Sequence, residues 1–185
     1  MTDLLPTRFV TVFVLSTLLL SGCCANNVCD CKDTQADIVR LRFSSAFTVS
    51  DLDTIVIRRY PLPYKAGVKA AYDSVTIIQP AAQVPDSIYL TLNNSTPFAA
   101  DGTHKLNHYR YVVQLRIQPP HSKPVAPITA ITIDSVGLRG SFEGTGCCTC
   151  YTNSVKTAIF SRGKAGVRDS TVDLKQAPYI LKVTK

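Results

Sequence analysis

From Ile38 onward, apolar and polar residues alternate along much of this chain. The longest run is His108–Gln118, where Tyr109, Tyr111, Val113, Leu115 and Ile117 interleave with His108, Arg110, Val112, Gln114 and Arg116. Successive side chains of a strand point to opposite faces, so a period of two predicts a half-buried strand. Ile38–Phe43 repeats the pattern, with Val39, Leu41 and Phe43 turned inward and Arg40 and Arg42 outward. Further strands are predicted over Thr54–Tyr60, Ser74–Gln79, Ser87–Leu92, Ile128–Val136, Val155–Phe160, Thr171–Leu174 and Tyr179–Thr184. No twelve-residue window carries a helical stripe. Short strands at this density, separated by turn signals, predict an all-β domain: an antiparallel two-sheet sandwich, immunoglobulin-like, with a closed β-barrel as the alternative.

Local chemistry accounts for where these strands begin. The phrase Asp-Ser/Thr followed by a β-branched residue recurs at Asp53, Asp73, Asp86, Asp134 and Asp169, at intervals too irregular for a solenoid or propeller. Asp, Ser and Thr side chains bond nearby backbone in turns, and the β-branched residue then opens a strand. Prolines punctuate the rest, and Gln118–Pro127 reads as a stiff crossover within one domain.

The first residues follow another rule. Arg8 precedes an apolar run from Phe9 to Leu20, which closes on Leu20-Ser21-Gly22-Cys23. Twelve helical residues reach only about 18 Å, short of a bilayer's roughly 30 Å of hydrocarbon, so the segment reads as a secretory leader. The four-residue end resembles the lipobox of bacterial lipoproteins cut by the type II signal peptidase. That resemblance implies acylation of Cys23, which becomes the first residue of the mature protein and its attachment to the membrane. It also divides the chain into a leader at 1–22, a cysteine-containing tether at 23–35 and a single β-sandwich domain at 36–185. Cys24 follows the lipid site where an aspartate would favour inner-membrane retention in some Gram-negative bacteria, so the outer membrane is the expected home. Leu20–Cys23, Cys29-Asp-Cys31, Leu52-Asp-Thr-Ile55 and Cys147-Cys-Thr-Cys150 together resemble uncharacterised β-rich envelope lipoproteins.

With Cys23 set aside, six of the seven cysteines remain: Cys24, Cys29 and Cys31, then Cys147, Cys148 and Cys150. An even number in an exported chain favours disulfides. Residues two apart in an extended segment share a face, so Cys29 with Cys31 can meet Cys148 with Cys150, leaving Cys24 and Cys147 for a third bridge. The alternative is a tetrahedral thiolate site for zinc or copper(I) built from Cys29, Cys31, Cys148 and Cys150.

The formal net charge is +7, and residues 156–185 supply much of it through Lys156, Arg162, Lys164, Arg168, Lys175, Lys182 and Lys185 against Asp169 and Asp173. Anionic lipid, an acidic polysaccharide or another envelope protein are the partners this suits, and a solvated strand face is the plainer explanation. Nucleic acid is not expected, because no aromatic-basic motif accompanies the charge. No nucleophile elbow, phosphate-binding glycine loop or nucleotide fingerprint is present, and no cofactor is expected. Ser161-Arg-Gly-Lys164 matches a Ser-x-x-Lys spacing without its companion motifs. His104 and His108 have the spacing of a helical zinc motif without its glutamate, on a segment that reads as strand. Glu143 is the sole glutamate, so no carboxylate pair is evident. Tyr109 with Tyr111, and Tyr60 with Tyr64 and Tyr72, remain as candidate stacking surfaces or as core. The expectation is a lipid-anchored, non-enzymatic binding or scaffolding module, with metal handling as the alternative.

Overall fold

A computed structural model describes residues 28–65, 71–79, 88–116, 126–162, 170–176 and 180–185. The chain forms two compact units, Thr34–Gly140 with Asn153–Lys185, and Met1–Asp33 with Ser141–Thr152.

The larger unit is an all-β sandwich. Its strands are β1 (Val39–Phe43), β2 (Thr54–Pro61), β3 (Asp73–Ile78), β4 (Tyr89–Leu92), β5 (Tyr109–Leu115), β6 (Ile128–Thr145), β7 (Cys148–Ser161), β8 (Ser170–Asp173) and β9 (Ile180–Val183). The last residues of β6 and the first of β7 belong to the smaller unit. One sheet has the order β4-β1-β9 and the other β3-β2-β5-β6-β7-β8, neither closed into a barrel. Each predicted strand has its counterpart here. Among the described residues the one α-helical element is the four-residue α1 (Asp33–Ala36), apart from short 3-10 turns.

Alternation explains the core. Val39, Leu41 and Phe43 of β1 are 0–1 % exposed, and Leu90, Leu92, Leu181 and Val183 of the flanking strands are buried with them. Facing them are Ile55 and Ile57 of β2, Tyr111, Val113 and Leu115 of β5, and Ile131 and Ile133 of β6. Burying each such aliphatic side chain contributes on the order of 1.5–3 kcal/mol before conformational entropy is counted. One pairing departs from the all-antiparallel expectation: β9 runs parallel to β1, with Leu41 opposite Leu181. The parallel partner is the final strand, so the intervening chain supplies the long connection that parallel pairing requires.

A second departure is length. β6 and β7 extend well past the predicted Ile128–Val136 and Val155–Phe160 and are joined through Gly146 and Cys147. Gly146 has φ +61°, the left-handed backbone that a tight primed hairpin turn requires and glycine adopts without strain. A third departure lies inside β6. Asp134 sits in mid-strand rather than at a turn, and its carboxylate accepts from Arg110 Nε at 2.9 Å. Asp53 and Asp73, by contrast, stand at the starts of β2 and β3 as the local rule requires.

Candidate functional site

In the smaller unit the cysteines are oxidised. Cys29 bonds Cys148 and Cys31 bonds Cys150, with Cα–Cα distances of 5.5 and 5.2 Å. Both bridges span 119 residues of sequence. Equal separations mean that Cys29–Cys31 lies alongside Cys148–Cys150 in the same chain direction; an antiparallel arrangement would have crossed the pairs. The Cys-x-Cys spacing works because alternate residues of β7 share a face. Cys147, in the turn, is disulfide-bonded as well. Cys23 and Cys24 lie outside the described residues, so the lipid site is not among them.

The thiolate site was the rival use of Cys29, Cys31, Cys148 and Cys150. Metal ligation needs thiolates, and a sulfur shared in a disulfide is not one. Among the described residues no group of three or more His, Cys, Asp or Glu side chains is placed to hold a metal ion. Glu143 is exposed, and Phe142, 68 % exposed, packs edge-on against Tyr151 at 5.3 Å.

The candidate tyrosines separate into two sets. Tyr109 and Tyr111 are 4 % and 2 % exposed and belong to the core. The Tyr109 hydroxyl donates to Asp101 at 2.6 Å, and that of Tyr111 to the Leu106 carbonyl at 3.3 Å. Burial pushes both phenols above their ordinary range, and the Asp101 carboxylate adds to the effect on Tyr109. Tyr60, Tyr64 and Tyr72 form the other set, with ring centroids 5.4 and 5.2 Å from Tyr60. Arg110 lies over Tyr64 at 4.3 Å and Arg58 over Tyr72 at 5.0 Å. Arg58, Val112 and Thr132 are register neighbours, as are Tyr60 and Arg110, so these strand residues share the face of the larger sheet turned away from the core. Tyr72 is 47 % exposed, so this set presents ring surface to solvent.

Sequence reasoning missed Arg59. Its position beside Ile55 and Ile57 on β2 turns it inward, where it is 8 % exposed. It is satisfied there by Asp73 at 2.7 Å and the Ala99 carbonyl at 3.2 Å, and stacks on Phe98 and Tyr109 at 4.7 and 4.5 Å. The only signal available was its parity with the two isoleucines.

His104 and His108 are both exposed, with rings 5.3 Å apart. His104 Nδ1 lies 3.3 Å from Asp101, and His108 Nδ1 accepts from the Lys105 backbone N–H at 3.1 Å. Hydrogen bonds from Tyr109 and then His104 hold the Asp101 carboxyl below its usual range. Ser161 is 1 % exposed and its hydroxyl faces Asp134 at 3.4 Å, which makes it a structural hydroxyl; Lys164 lies outside the described residues.

The C-terminal basic segment is partly consumed inside the fold. Lys185 pairs with Asp51 at 2.6 Å, Lys175 Nζ donates to the Ser154 carbonyl at 3.1 Å, and Arg162 stacks on Phe160 at 5.0 Å. Burial draws the Lys156 ammonium below its ordinary value, opposed by Asp37. Lys164 and Arg168 lie outside the described residues.

Compared with protein-family models, curated proteins and solved structures, the chain matches none.

Proposed function

We propose that this chain is an exported lipoprotein, acylated at Cys23, held at the cell envelope and there on the outer membrane, and serving as a non-enzymatic binding or scaffolding module. The observation that carries the reading is the pair of bridges Cys29–Cys148 and Cys31–Cys150, which fasten the segment just after Leu20-Ser21-Gly22-Cys23 to the β6–β7 hairpin. Structural disulfides persist in oxidising compartments, which export supplies. A tether closed covalently within a few residues of the lipid keeps the folded protein near the bilayer.

The cysteine count sharpens this. Once Cys29, Cys31, Cys148 and Cys150 are paired and Cys147 is bonded, only Cys23 and Cys24 remain in the sequence. On this reading Cys23 carries the lipid, which leaves Cys24 as the sulfur to pair with Cys147. The binding part of the reading is supported by the Tyr60, Tyr64 and Tyr72 set, in which Tyr72 is exposed and Tyr60 and Tyr64 half-buried, since such rings with flanking guanidinium groups suit sugar or protein surfaces.

The test is metabolic labelling of the full chain with a clickable palmitate analogue, with and without Cys23→Ser. Label lost in the variant, together with an intact mass that accounts for three disulfides, supports the reading. Label retained in Cys23→Ser overturns the anchor. A protein that is destabilised by a chelator and indifferent to reductant overturns the role given to the cysteines and restores metal handling.

A further inference from the structure

The β6–β7 hairpin has one aromatic face that stays open among the described residues. Phe142 of β6 is 68 % exposed and meets Tyr151 of β7 edge-on, with ring centroids 5.3 Å apart. That contact puts both rings on the same side of the ribbon. Alternation adds Gly144 of β6 and Thr149 of β7 to that side, both exposed. A Cβ placed on Gly144 would meet no atom within 4 Å, so the side is open toward the turn. None of the four residues is charged. Cys148 and Cys150 point the other way by the same alternation, and their bonds to Cys29 and Cys31 lay the tether there. Glu143, next to Phe142 in sequence, also points to the tether side.

Several occupants would fit an open aromatic face; chain length selects one. Cys23 stands six positions before Cys29, so the lipid proposed there is held within at most about 20 Å of the bridged hairpin. On the pairing given above, Cys24 is bonded into the turn at Cys147, which shortens the distance further. A bilayer is then always present at this end of the chain, whereas a soluble partner must arrive by diffusion. Tethering makes a second contact intramolecular, at an effective concentration in roughly the millimolar range, so a contact too weak to hold a free protein is still populated. The chemistry of the face fits as well. An apolar ring, a phenol with a polar tip and small uncharged neighbours suit the headgroup boundary, where aromatic side chains collect.

We propose that this face of the hairpin is a second membrane contact. Phe142 enters the boundary between headgroups and acyl chains, and Tyr151 lies at headgroup level beside it. The ribbon lies along the bilayer, with the tether on its far side and the lipid leaving past the turn. The inference rests on the anchor proposed at Cys23 and adds an orientation to it.

The chain has no tryptophan, so a single introduced indole reports its own surroundings. Full chain carrying Phe142→Trp or Thr152→Trp is purified with its lipid, verified by the palmitate label. Each variant is reconstituted in phosphatidylcholine vesicles with and without bromine midway along the acyl chains. Thr152 is exposed and lies on the tether side, so it is the opposite-face control. Bromine should quench the indole at position 142 at least about threefold more than that at 152, since an interfacial apolar face sinks roughly 5–10 Å into the headgroup–acyl boundary. Equal quenching at the two positions, or none at 142 in a chain whose lipid label is intact, would overturn the contact and leave the anchor standing. An emission shift at 142 that follows protein concentration rather than vesicles would give the face to a second copy of the chain and overturn the contact as well. A chain without lipid label overturns the anchor first and the contact with it.

Discussion

The sandwich and the cysteine unit cohere by different means. In the sandwich, cohesion is spread over buried aliphatic and aromatic side chains from both sheets, and among the described residues the core cluster draws only on the larger unit. In the smaller unit, Ser141–Gly144 lead into a hairpin whose described residues are exposed or half-buried, and covalent bonds supply the cohesion. Small structures that cannot bury enough apolar surface are commonly held by disulfides. The difference teaches that one chain can combine a body able to be cohesive by packing with an attachment that is not.

Perturbations chosen for one region should therefore spare the other. Full reduction should have the largest effect, because a loop of 119 residues is closed in the unfolded chain and its release costs about 4–5 kcal/mol in the chain-entropy model. Chemical denaturation with and without reductant measures it. In the native state reduction should expose the segment around Val28–Asp33 to protease while amides of β1 and β5 stay protected from exchange. Leu41→Ala comes next, at about 3 kcal/mol, because the side chain is fully buried at the centre of the smaller sheet; the disulfides should form normally, as intact mass would show. Removing one bridge alone, with Cys31→Ser and Cys150→Ser together, should cost about 2 kcal/mol, since the Cys29–Cys148 bond still closes the long loop. Equal costs for one bridge and for full reduction would show that the bridges act through native geometry instead.

The smallest effects belong to the surfaces. Phe142→Ala should change stability by less than about 1 kcal/mol, because only an exposed ring contact with Tyr151 is lost. At Asp51, burial opposes ionisation, but hydrogen bonds from Lys185 and Thr48 outweigh it and hold the carboxyl below its ordinary 3.8. A depressed value contributes stability that is present above the unfolded value near 4 and is lost as pH falls through the lower folded one. Lys185→Ala should shrink that acid-dependent loss, by less than about 1 kcal/mol for a partly exposed pair. Denaturant midpoints at neutral pH and below pH 4 would resolve it.

Much of the sandwich was legible from alternation alone. Val39, Leu41 and Phe43 occupy the inner face as their spacing requires; two-residue periodicity also located β5, but that strand is not half-buried as expected, since Arg110 and Val112 on its other face are 5 % and 9 % exposed. The outer halves of β6 and β7 were not legible. In Val136–Thr145 the period of two persists at Val136, Leu138 and Phe142, but Gly137, Gly140 and Gly144 dilute it, and only Val136 and Leu138 reach the core while Phe142 is 68 % exposed. Sequence spacing brought Cys29 and Cys31 opposite Cys148 and Cys150, but the choice between parallel and crossed pairing depends on chain direction, which spacing does not encode. Nor did composition distinguish Tyr109 from Tyr60; both are tyrosines on strands, and only the parity of each position in its sheet decides which ring meets solvent. The register shift of β5 against β6 at Val113 and Gln114 was hidden too, being a property of pairing between distant segments.

The two 119-residue bridges also set how the molecule bears load. A pull applied ahead of Cys29 and behind Val183 passes through the sulfur atoms into β7 and never stretches the residues between the bridged cysteines. Roughly 400 Å of contour length, at about 3.4 Å per residue, is withheld from extension. Strands β1 to β6, which all begin and end within that loop, are shielded from tension, while β7, β8 and β9 are the ones that must yield. A protein tethered at one end and gripped at the other would thus tear from its C-terminal strands first, with the parallel β1–β9 pairing as the seam.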